Sequence, residues 1–166
     1  MKKTLIFFGT ALILGLGYWL ISPLFTTREV NESLEDIVTT GNPIIEVSSG
    51  EKTNENNPAE VEIIGQGNFL GADSFHKASG KAKLLKIGEK YYVRFENDFS
   101  VTNGPDLFVH FGKDGRYVSE ARLGELKGNA GSQNYEVPST INPLDYNEIW
   151  IWCRAFSVPF GSAKIE

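Results

Sequence analysis

Cysteine is almost absent from this chain of 166 residues, which contains a single one, Cys153. One cysteine excludes an internal disulfide framework, a CxxC redox pair, a cysteine-rich zinc site and a cysteine-ligated iron–sulfur cluster. Methionine and histidine are also scarce, with Met1, His76 and His110 as the complete set. Few side chains are therefore available for a soft-metal or haem site.

Basic residues are outnumbered, with 16 Lys and Arg against 21 Asp and Glu and a formal net charge of −5. Because binding to nucleic-acid phosphates requires clustered Lys and Arg, we expect no nucleic-acid partner. The acidity lies in residues 24–64, which hold nine acidic and two basic residues. Residues 65–166 hold twelve of each, so net charge does not indicate what that part of the chain binds.

Residues 4–21 contain no charged side chain. These eighteen residues would span about 27 Å as a helix, close to the hydrocarbon thickness of a bilayer. Lys2 and Lys3 precede the run and acidic residues follow it, which predicts a single-pass protein with a cytoplasmic N-terminus. We therefore expect residues 1–23 to anchor the chain in the cell membrane and the rest to lie outside the cytoplasm. The alternative is a cleaved signal peptide, but the run exceeds the usual apolar core of about 7–15 residues and leads into a poor cleavage site.

Residues 24–61 combine like charges with the long polar run 48–58. Low hydrophobicity and charge repulsion favour an extended chain over packed structure. We expect an acidic, flexible linker here, with a weak helical pattern at 29–38. Residues 62–166 should then form the folded domain.

The composition of the chain changes after residue 64, since fifteen of the twenty aromatic residues lie in residues 65–166. Short segments rich in Val, Ile, Tyr and Phe alternate with glycine-containing turns such as Gly88-Glu89 and Lys113-Asp114-Gly115, which is typical of β-hairpins. This pattern predicts an all-β fold, an antiparallel β-sandwich or barrel, preceded by a transmembrane helix and a flexible linker. The predicted strands are 66–70, 82–87, 91–95, 107–111, 117–121, 133–137, 148–153 and 163–165.

Cys153 ends a segment that reads as a strand, Glu148-Ile149-Trp150-Ile151-Trp152-Cys153. Alternation places the cysteine on the same face as the two isoleucines and Arg154 on the opposite face with the tryptophans. Arg154 is therefore no reason to expect a lowered thiol pKa. Two interpretations stay open, a small buried hydrophobic residue and a redox thiol or soft ligand.

His76 lies in a polar loop between predicted strands, and His110 lies in a strand on the face opposite Val109 and Phe111. Either imidazole is chemically suited to bind a metal, although each stands alone in the sequence. A blue-copper site is excluded because neither histidine nor methionine follows Cys153. Asp106 should cap or close the turn at 103–106. No phosphate-binding loop, HExxH motif or nucleophile elbow occurs, so a hydrolytic enzyme is not indicated.

Five segments in order resemble the DM-thirteen domain family, an electron-transfer family related to the DOMON domains. The resemblance covers roughly residues 62–166. Its segments are Gly67-Asn68-Phe69, residues 76–80 (HKASG), 99–107 (FSVTNGPDL), 123–128 (LGELKG) and 151–161 (IWCRAFSVPFG).

The resemblance implies a β-sandwich of about a hundred residues on an exported or membrane-tethered protein. It also implies that Cys153 occupies the family's signature cysteine, acting as a naked redox thiol or as a ligand to a group such as haem. Asp106 and His76 match motif positions without an implied role. Haem-binding DOMON relatives use a methionine and a histidine, whereas Met1 lies on the cytoplasmic side here. A haem would need His76, His110 or Cys153.

The functional expectation is a membrane-tethered, extracytoplasmic domain with an electron-transfer or thiol-redox role centred on Cys153. His76 and His110 are the candidate cofactor-binding residues, haem is a possible cofactor, and a redox protein is a possible partner. The alternative is a non-catalytic binding or adhesion module that holds a polysaccharide or a protein on exposed Tyr or Trp rings. Whether the protein is an enzyme stays open.

Overall fold

A computed structural model describes residues 26–40 and 60–166, together with Gly9, Gly15, Gly17 and Tyr18. Apart from those four residues, the predicted anchor at residues 1–23 lies outside the described residues and stays a prediction. Residues 41–59 of the predicted linker also lie outside them. Across the described part of the chain, no helix is both long and apolar enough to cross a bilayer.

Within residues 26–40 and 60–166 the fold consists of ten β-strands, one α-helix and one 3-10 helix. The elements are α1 (Glu35–Thr40), β1 (Val61–Gly71), β2 (Ala78–Ser79), β3 (Lys81–Ile87), β4 (Lys90–Phe95), β5 (Ser100–Val101), β6 (Leu107–Lys113), β7 (Arg116–Glu125), β8 (Gln133–Glu136), the 3-10 helix Pro143–Asp145, β9 (Glu148–Cys153) and β10 (Val158–Lys164).

Eight strands form one antiparallel sheet in the order β7-β6-β9-β10-β1-β3-β4-β8, and β2 pairs with β5 separately. The long strand β1 joins the two halves of the sheet, because residues 61–68 pair with β3 and residues 69–71 pair with β10. The sheet curls into a half-barrel whose edges approach each other, since the amide of Lys127 after β7 donates to the hydroxyl of Tyr135 on β8 at 3.0 Å. The all-β antiparallel prediction is confirmed, with a sandwich-like arrangement of the two halves.

The hydrophobic core lies between the two halves of the curled sheet. It is built from every second residue along the strands, the ones whose side chains face inward, as a half-buried sheet requires. Phe95 and Phe99 pack with their ring centroids 4.5 Å apart, and Phe69 meets Phe95 edge to face at 4.9 Å. Each such buried side chain stabilises the fold by about 1.5–3 kcal/mol through removal of apolar surface from water.

Strand β10 begins five residues before the predicted segment 163–165. Its proline and glycine would ordinarily interrupt a strand, but the register shifts between Pro159 and Gly161, which marks a bulge. Glycine is needed there because a Cβ on Gly161 would lie 2.5 Å from the Cβ of Ala78 and 2.7 Å from the carbonyl oxygen of Leu70. Local sequence therefore underestimates the length of this strand.

Residues 26–38 pack against the domain, and we call them the N-terminal strap. The amides of Val30 and Glu32 donate to the carbonyls of Ala130 and Ser132, both at 3.0 Å. The structure thus differs from the expectation of a mobile linker over this part of residues 24–61.

Glu32 holds the strap through both its side chain and its backbone. Its carboxylate accepts from Lys127 Nζ at 2.7 Å and from the amide of Asn134 at 2.7 Å. Its carbonyl accepts from Arg94 Nη1 at 3.2 Å and from Ser132 Oγ at 2.8 Å. A charged residue with this many partners costs little to bring out of water, which is why an acidic segment can dock.

Helix α1 follows a reciprocal cap at its N-terminus. The amide of Asp36 donates to Ser33 Oγ at 3.3 Å, and the amide of Ser33 donates to Asp36 Oδ2 at 2.8 Å. Ile37 then packs in a small cluster with Leu85, Ile87 and Tyr92. The helix begins later than the weak pattern at 29–38 indicates, because the cap residues determine where it starts.

Replacing Glu32 with alanine should lower the free energy of unfolding by about 1–3 kcal/mol, since Lys127 and the Asn134 amide lose their acceptor. Hydrogen exchange at the Val30 amide should accelerate as the strap opens. The control is Glu29→Ala, at an exposed site whose carboxylate accepts from Asn31 at 3.1 Å. Urea unfolding of both variants checks the prediction, and equal losses would contradict it.

Candidate functional site

Cys153 is the last residue of β9 and lies between two neighbouring strands. Its backbone is paired with Leu107 of β6 and with Val158 of β10. Its side chain points into the core with Ile149 and Ile151, and all three residues are 0% exposed. The predicted alternation of β9 is confirmed, and the thiol is enclosed in this conformation.

The turn that follows Cys153 is exposed. Residues 154–157 connect β9 to β10, and Phe156 within it is 68% exposed. Ser157 adopts a φ of 54°, a left-handed conformation that costs a residue other than glycine about 1–2 kcal/mol. The buried thiol therefore belongs to the residue that directly precedes a strained, solvent-facing turn.

An ion pair holds this end of β9 against the start of β6. Arg154 donates from Nε to Asp106 Oδ2 at 2.8 Å and from Nη2 to Asp106 Oδ1 at 3.2 Å. The Arg154 amide also donates to the Asp106 carbonyl at 3.0 Å. The carboxylate raises the pKa of Arg154 above its usual value through this hydrogen bond. Asp106 thus links two strands, whereas the sequence indicated a residue closing its own turn.

The Arg154 guanidinium lies over the ring of Phe108, 4.7 Å from its centroid, on the outer face of the sheet. Arg122 approaches the same ring at 5.2 Å. Such cation–π contacts contribute about 0.5–1 kcal/mol at exposed positions. The prediction that Arg154 points away from the thiol is confirmed.

His110 also lies on the outer face of β6, yet it is only 4% exposed. Its Nδ1 donates to the carbonyl of Val118 at 3.3 Å, and its ring meets Tyr117 edge to face at 4.6 Å. Burial lowers its pKa to about 4, with a smaller contribution from the positive charge of Arg122. The imidazole is therefore neutral at physiological pH.

An outer aromatic layer explains why β6 is buried on both faces. Tyr117 and Trp152 stack with centroids 4.2 Å apart and an interplanar angle of 8°, reaching toward each other across β6. Trp150 lies against the backbone of Gly112, where an added Cβ would collide with the indole. Its Nε1 donates to Glu148 Oε2 at 2.8 Å. These rings serve as a second, thinner packing layer.

His76 belongs to the loop that follows β1. Asp73 organises this loop, because its Oδ1 accepts from the amides of Phe75 and His76 at 2.7 Å each, and its Oδ2 accepts from His76 Nδ1 at 2.7 Å. These hydrogen bonds lower the pKa of Asp73 to about 2. The His76 ring rests on Phe160, with centroids 4.4 Å apart. One imidazole nitrogen is thus used to hold the loop.

The candidate ligands do not come together around a common centre. Cys153 and His110 project from opposite faces of paired strands, since Leu107 is opposite Cys153 and His110 is opposite Trp150. Among the described residues, no group of three or more His, Cys, Asp or Glu side chains is arranged to hold a metal ion. The residues therefore do not fit a haem bound jointly by Cys153 and His110.

Comparison with known families matches residues 69–165 to the family described as Electron transfer DM13. The chain belongs to the DM13 family. The matched region begins inside β1 and includes His76, Asp106 and Cys153, while the N-terminal strap lies outside it. The family resemblance drawn from the five motifs is confirmed, and it supports an electron-transfer role for the DM13 domain. No curated protein and no solved structure matches the chain.

Two features of the DM13 site were missed from the sequence. The ion pair of Asp106 with Arg154 joins positions 48 apart, and the stack of Tyr117 on Trp152 spans two strands that are not neighbours. The sequence signal for these contacts is limited to strand alternation, which places Arg154, Trp152 and Trp150 on one face. Their partners depend on strand order and register, which local patterns do not contain.

The stability of the domain should fall on acidification through His110. Its folded-state pKa of about 4 is below the ordinary 6.5, so the unfolded chain binds the proton more tightly. The stabilisation is complete above pH 6.5 and is lost as the pH falls toward 4, by about 3 kcal/mol at most.

Urea unfolding between pH 7.5 and 4 would measure this loss against His110→Gln. The variant should be less stable at neutral pH. Its free energy of unfolding should fall less steeply with decreasing pH than that of the wild type between about pH 6.5 and 4. Above pH 7 the two curves should run parallel. Identical slopes throughout would contradict the assignment to His110.

Proposed function

We propose that this DM13 protein is an electron-transfer protein of the cell membrane, anchored by residues 4–21 with its domain outside the cytoplasm, and that Cys153 is its redox centre. The family supports the electron-transfer role. The observation that carries the assignment to Cys153 is its position at the end of β9, enclosed but one residue from an exposed turn. The apolar run with preceding lysines supports the tether.

The geometry favours a naked thiol over a cofactor ligand. The sulfur is in the core, and His110, on the neighbouring strand β6, projects from the other face of the sheet. Opening of the 154–157 turn and the last pair of β9 and β10 would bring the sulfur to solvent without unfolding the domain. Local openings of this kind cost less free energy than global unfolding.

Thiol–disulfide exchange is the chemistry that such an opening permits. The Cys153 thiolate attacks one sulfur of a disulfide on a redox partner, so a mixed disulfide forms and the partner's S–S bond breaks. The partner's second sulfur leaves as a thiolate and takes up the proton that Cys153 released. Cys153 is oxidised and half of the partner's disulfide is reduced. The step is reversed when the partner's released thiolate attacks the partner sulfur of the mixed disulfide, which re-forms the partner's S–S bond and releases Cys153 as a thiolate.

The ion pair of Asp106 with Arg154 is a positioning element in this proposal. It ties the first residue of the turn to the segment before β6, and the pair is partly solvent-exposed. Such pairs contribute up to about 1 kcal/mol. The pair therefore limits how often the end of β9 opens without preventing it.

The alternative of a polysaccharide-binding module on Tyr and Trp rings receives little support. Tyr117 and Trp152 cover each other, and Trp150 lies against Gly112. These rings are used for packing, whereas the exposed aromatics of the domain are phenylalanines.

The full chain in detergent should form a mixed disulfide with glutathione disulfide at Cys153 without denaturant. Intact mass spectrometry should show one glutathione added, removed by dithiothreitol, and none added to Cys153→Ser. A wild-type thiol that stays unmodified until the protein is denatured would contradict the thiol-redox role.

Asp106→Asn should increase the rate at which a maleimide labels Cys153 by about two- to fivefold, because the turn opens more often. The matched control is Asp145→Asn in the 3-10 helix, which makes the same charge change at the opposite end of β9. Its labelling rate should equal that of the wild type. Equal rates for both variants would show that the ion pair does not limit opening.

A further inference from the structure

Two exposed phenylalanines lie at the end of the domain where Cys153 is placed. Phe75, in the loop after β1, is 82% exposed, and Phe156, in the β9–β10 turn, is 68% exposed. The loop and the turn are adjacent because Gly71 pairs with Gly161 and the Ala72 amide donates to the Phe160 carbonyl at 3.2 Å. We call residues 72–77, 103–106 and 154–157 the thiol end of the domain.

The N-terminal strap starts at this same end. Thr26 and Arg28 line a cavity of ≈ 520 Å³ together with residues 104–107 and 125–129. Thr27 lines a neighbouring cavity with residues of the loop after β1, Asp73 and Lys77. From here the strap runs along the domain to α1, which packs on Leu85 and Ile87.

The length of chain before the strap limits how far this end can be from a membrane. The predicted membrane span ends at Ile21, and five residue steps to Thr26 span at most about 18 Å when fully extended. The headgroup layer on one side of a bilayer takes up roughly 5–8 Å of this. With the strap docked, the domain is held beside the membrane, whereas a free linker of residues 24–61 would let it move far away.

We infer that the thiol end faces the bilayer and inserts Phe75 and Phe156 into the lipid headgroup region. This inference rests on the proposed membrane tether. Phenylalanine is among the side chains that membrane-surface segments bury at the boundary between headgroups and acyl chains, and two of them on exposed turns are the surface a bilayer would take up. The orientation puts Cys153 at the membrane-facing side of the domain.

The charges at the thiol end indicate how this contact depends on lipid. Two cations, Lys77 and Arg154, and two carboxylates, Asp73 and Asp106, lie there. The local net charge is therefore zero, and insertion of the rings dominates over attraction to anionic lipid.

The test places a tryptophan at each ring, Phe75→Trp and Phe156→Trp, in the full chain reconstituted into phosphatidylcholine vesicles with brominated acyl chains. Leu144→Trp is the matched control, because Leu144 is 59% exposed and lies in the 3-10 helix at the opposite end of β9. The added fluorescence, corrected for the parent protein, should fall at least about twofold at positions 75 and 156 and stay unchanged at 144. Adding phosphatidylserine should not change the result.

Flotation of the vesicles separates the two possible failures. A chain that does not float with the vesicles overturns the tether and this inference with it. A chain that floats but shows equal quenching at positions 75, 156 and 144 leaves the tether standing and overturns the orientation. Cys153 reactivity with glutathione disulfide is measured on the wild-type chain in detergent, where no bilayer covers the turn, so the redox role is judged independently.

Discussion

The pairing of β6 with β9 is the constraint on which the site depends. It puts Leu107 opposite Cys153 and His110 opposite Trp150, and strand alternation then sends the thiol inward and the imidazole outward. A single sheet therefore separates the two residues best suited to bind a common cofactor. The thiol is left in an apolar core, out of contact with solvent until the strand end opens.

Burial of β6 on its outer face has an energetic cost and a structural reason. A polar imidazole is covered there by Tyr117, which stacks on Trp152, and the hydrogen bond to the Val118 carbonyl only partly offsets the burial that lowers its pKa. The rings and arginine side chains that cover the strand come from both of its neighbours. They join β7, β6 and β9 on the outer face of the sheet, on the side away from the thiol.

The strap changes how the acidic segment is understood. Charge counting over residues 24–64 indicates a solvated spacer, and the count is correct, but Glu32 is paired with Lys127 and with the Asn134 amide. Those partners are about a hundred residues away in sequence, so composition alone gives no sign of them. Strand prediction succeeded where alternation is clean, as in β9, whose bounds match. It failed for β2 and β5, two residues each, and for the start of β10, where a bulge accommodates Pro159 and Gly161.

Local chemistry was readable from residue order alone: a single thiol, the strand that carries it, the face it occupies, and the opposite face for Arg154. These follow from side-chain type and from the two-residue period of a strand, which are properties of neighbours in sequence. The pairing of Arg154 with Asp106, the docking of the strap on Glu32 and the separation of His110 from Cys153 came from the folded chain. Each depends on strand order and register, and those are set by core packing between segments far apart in sequence.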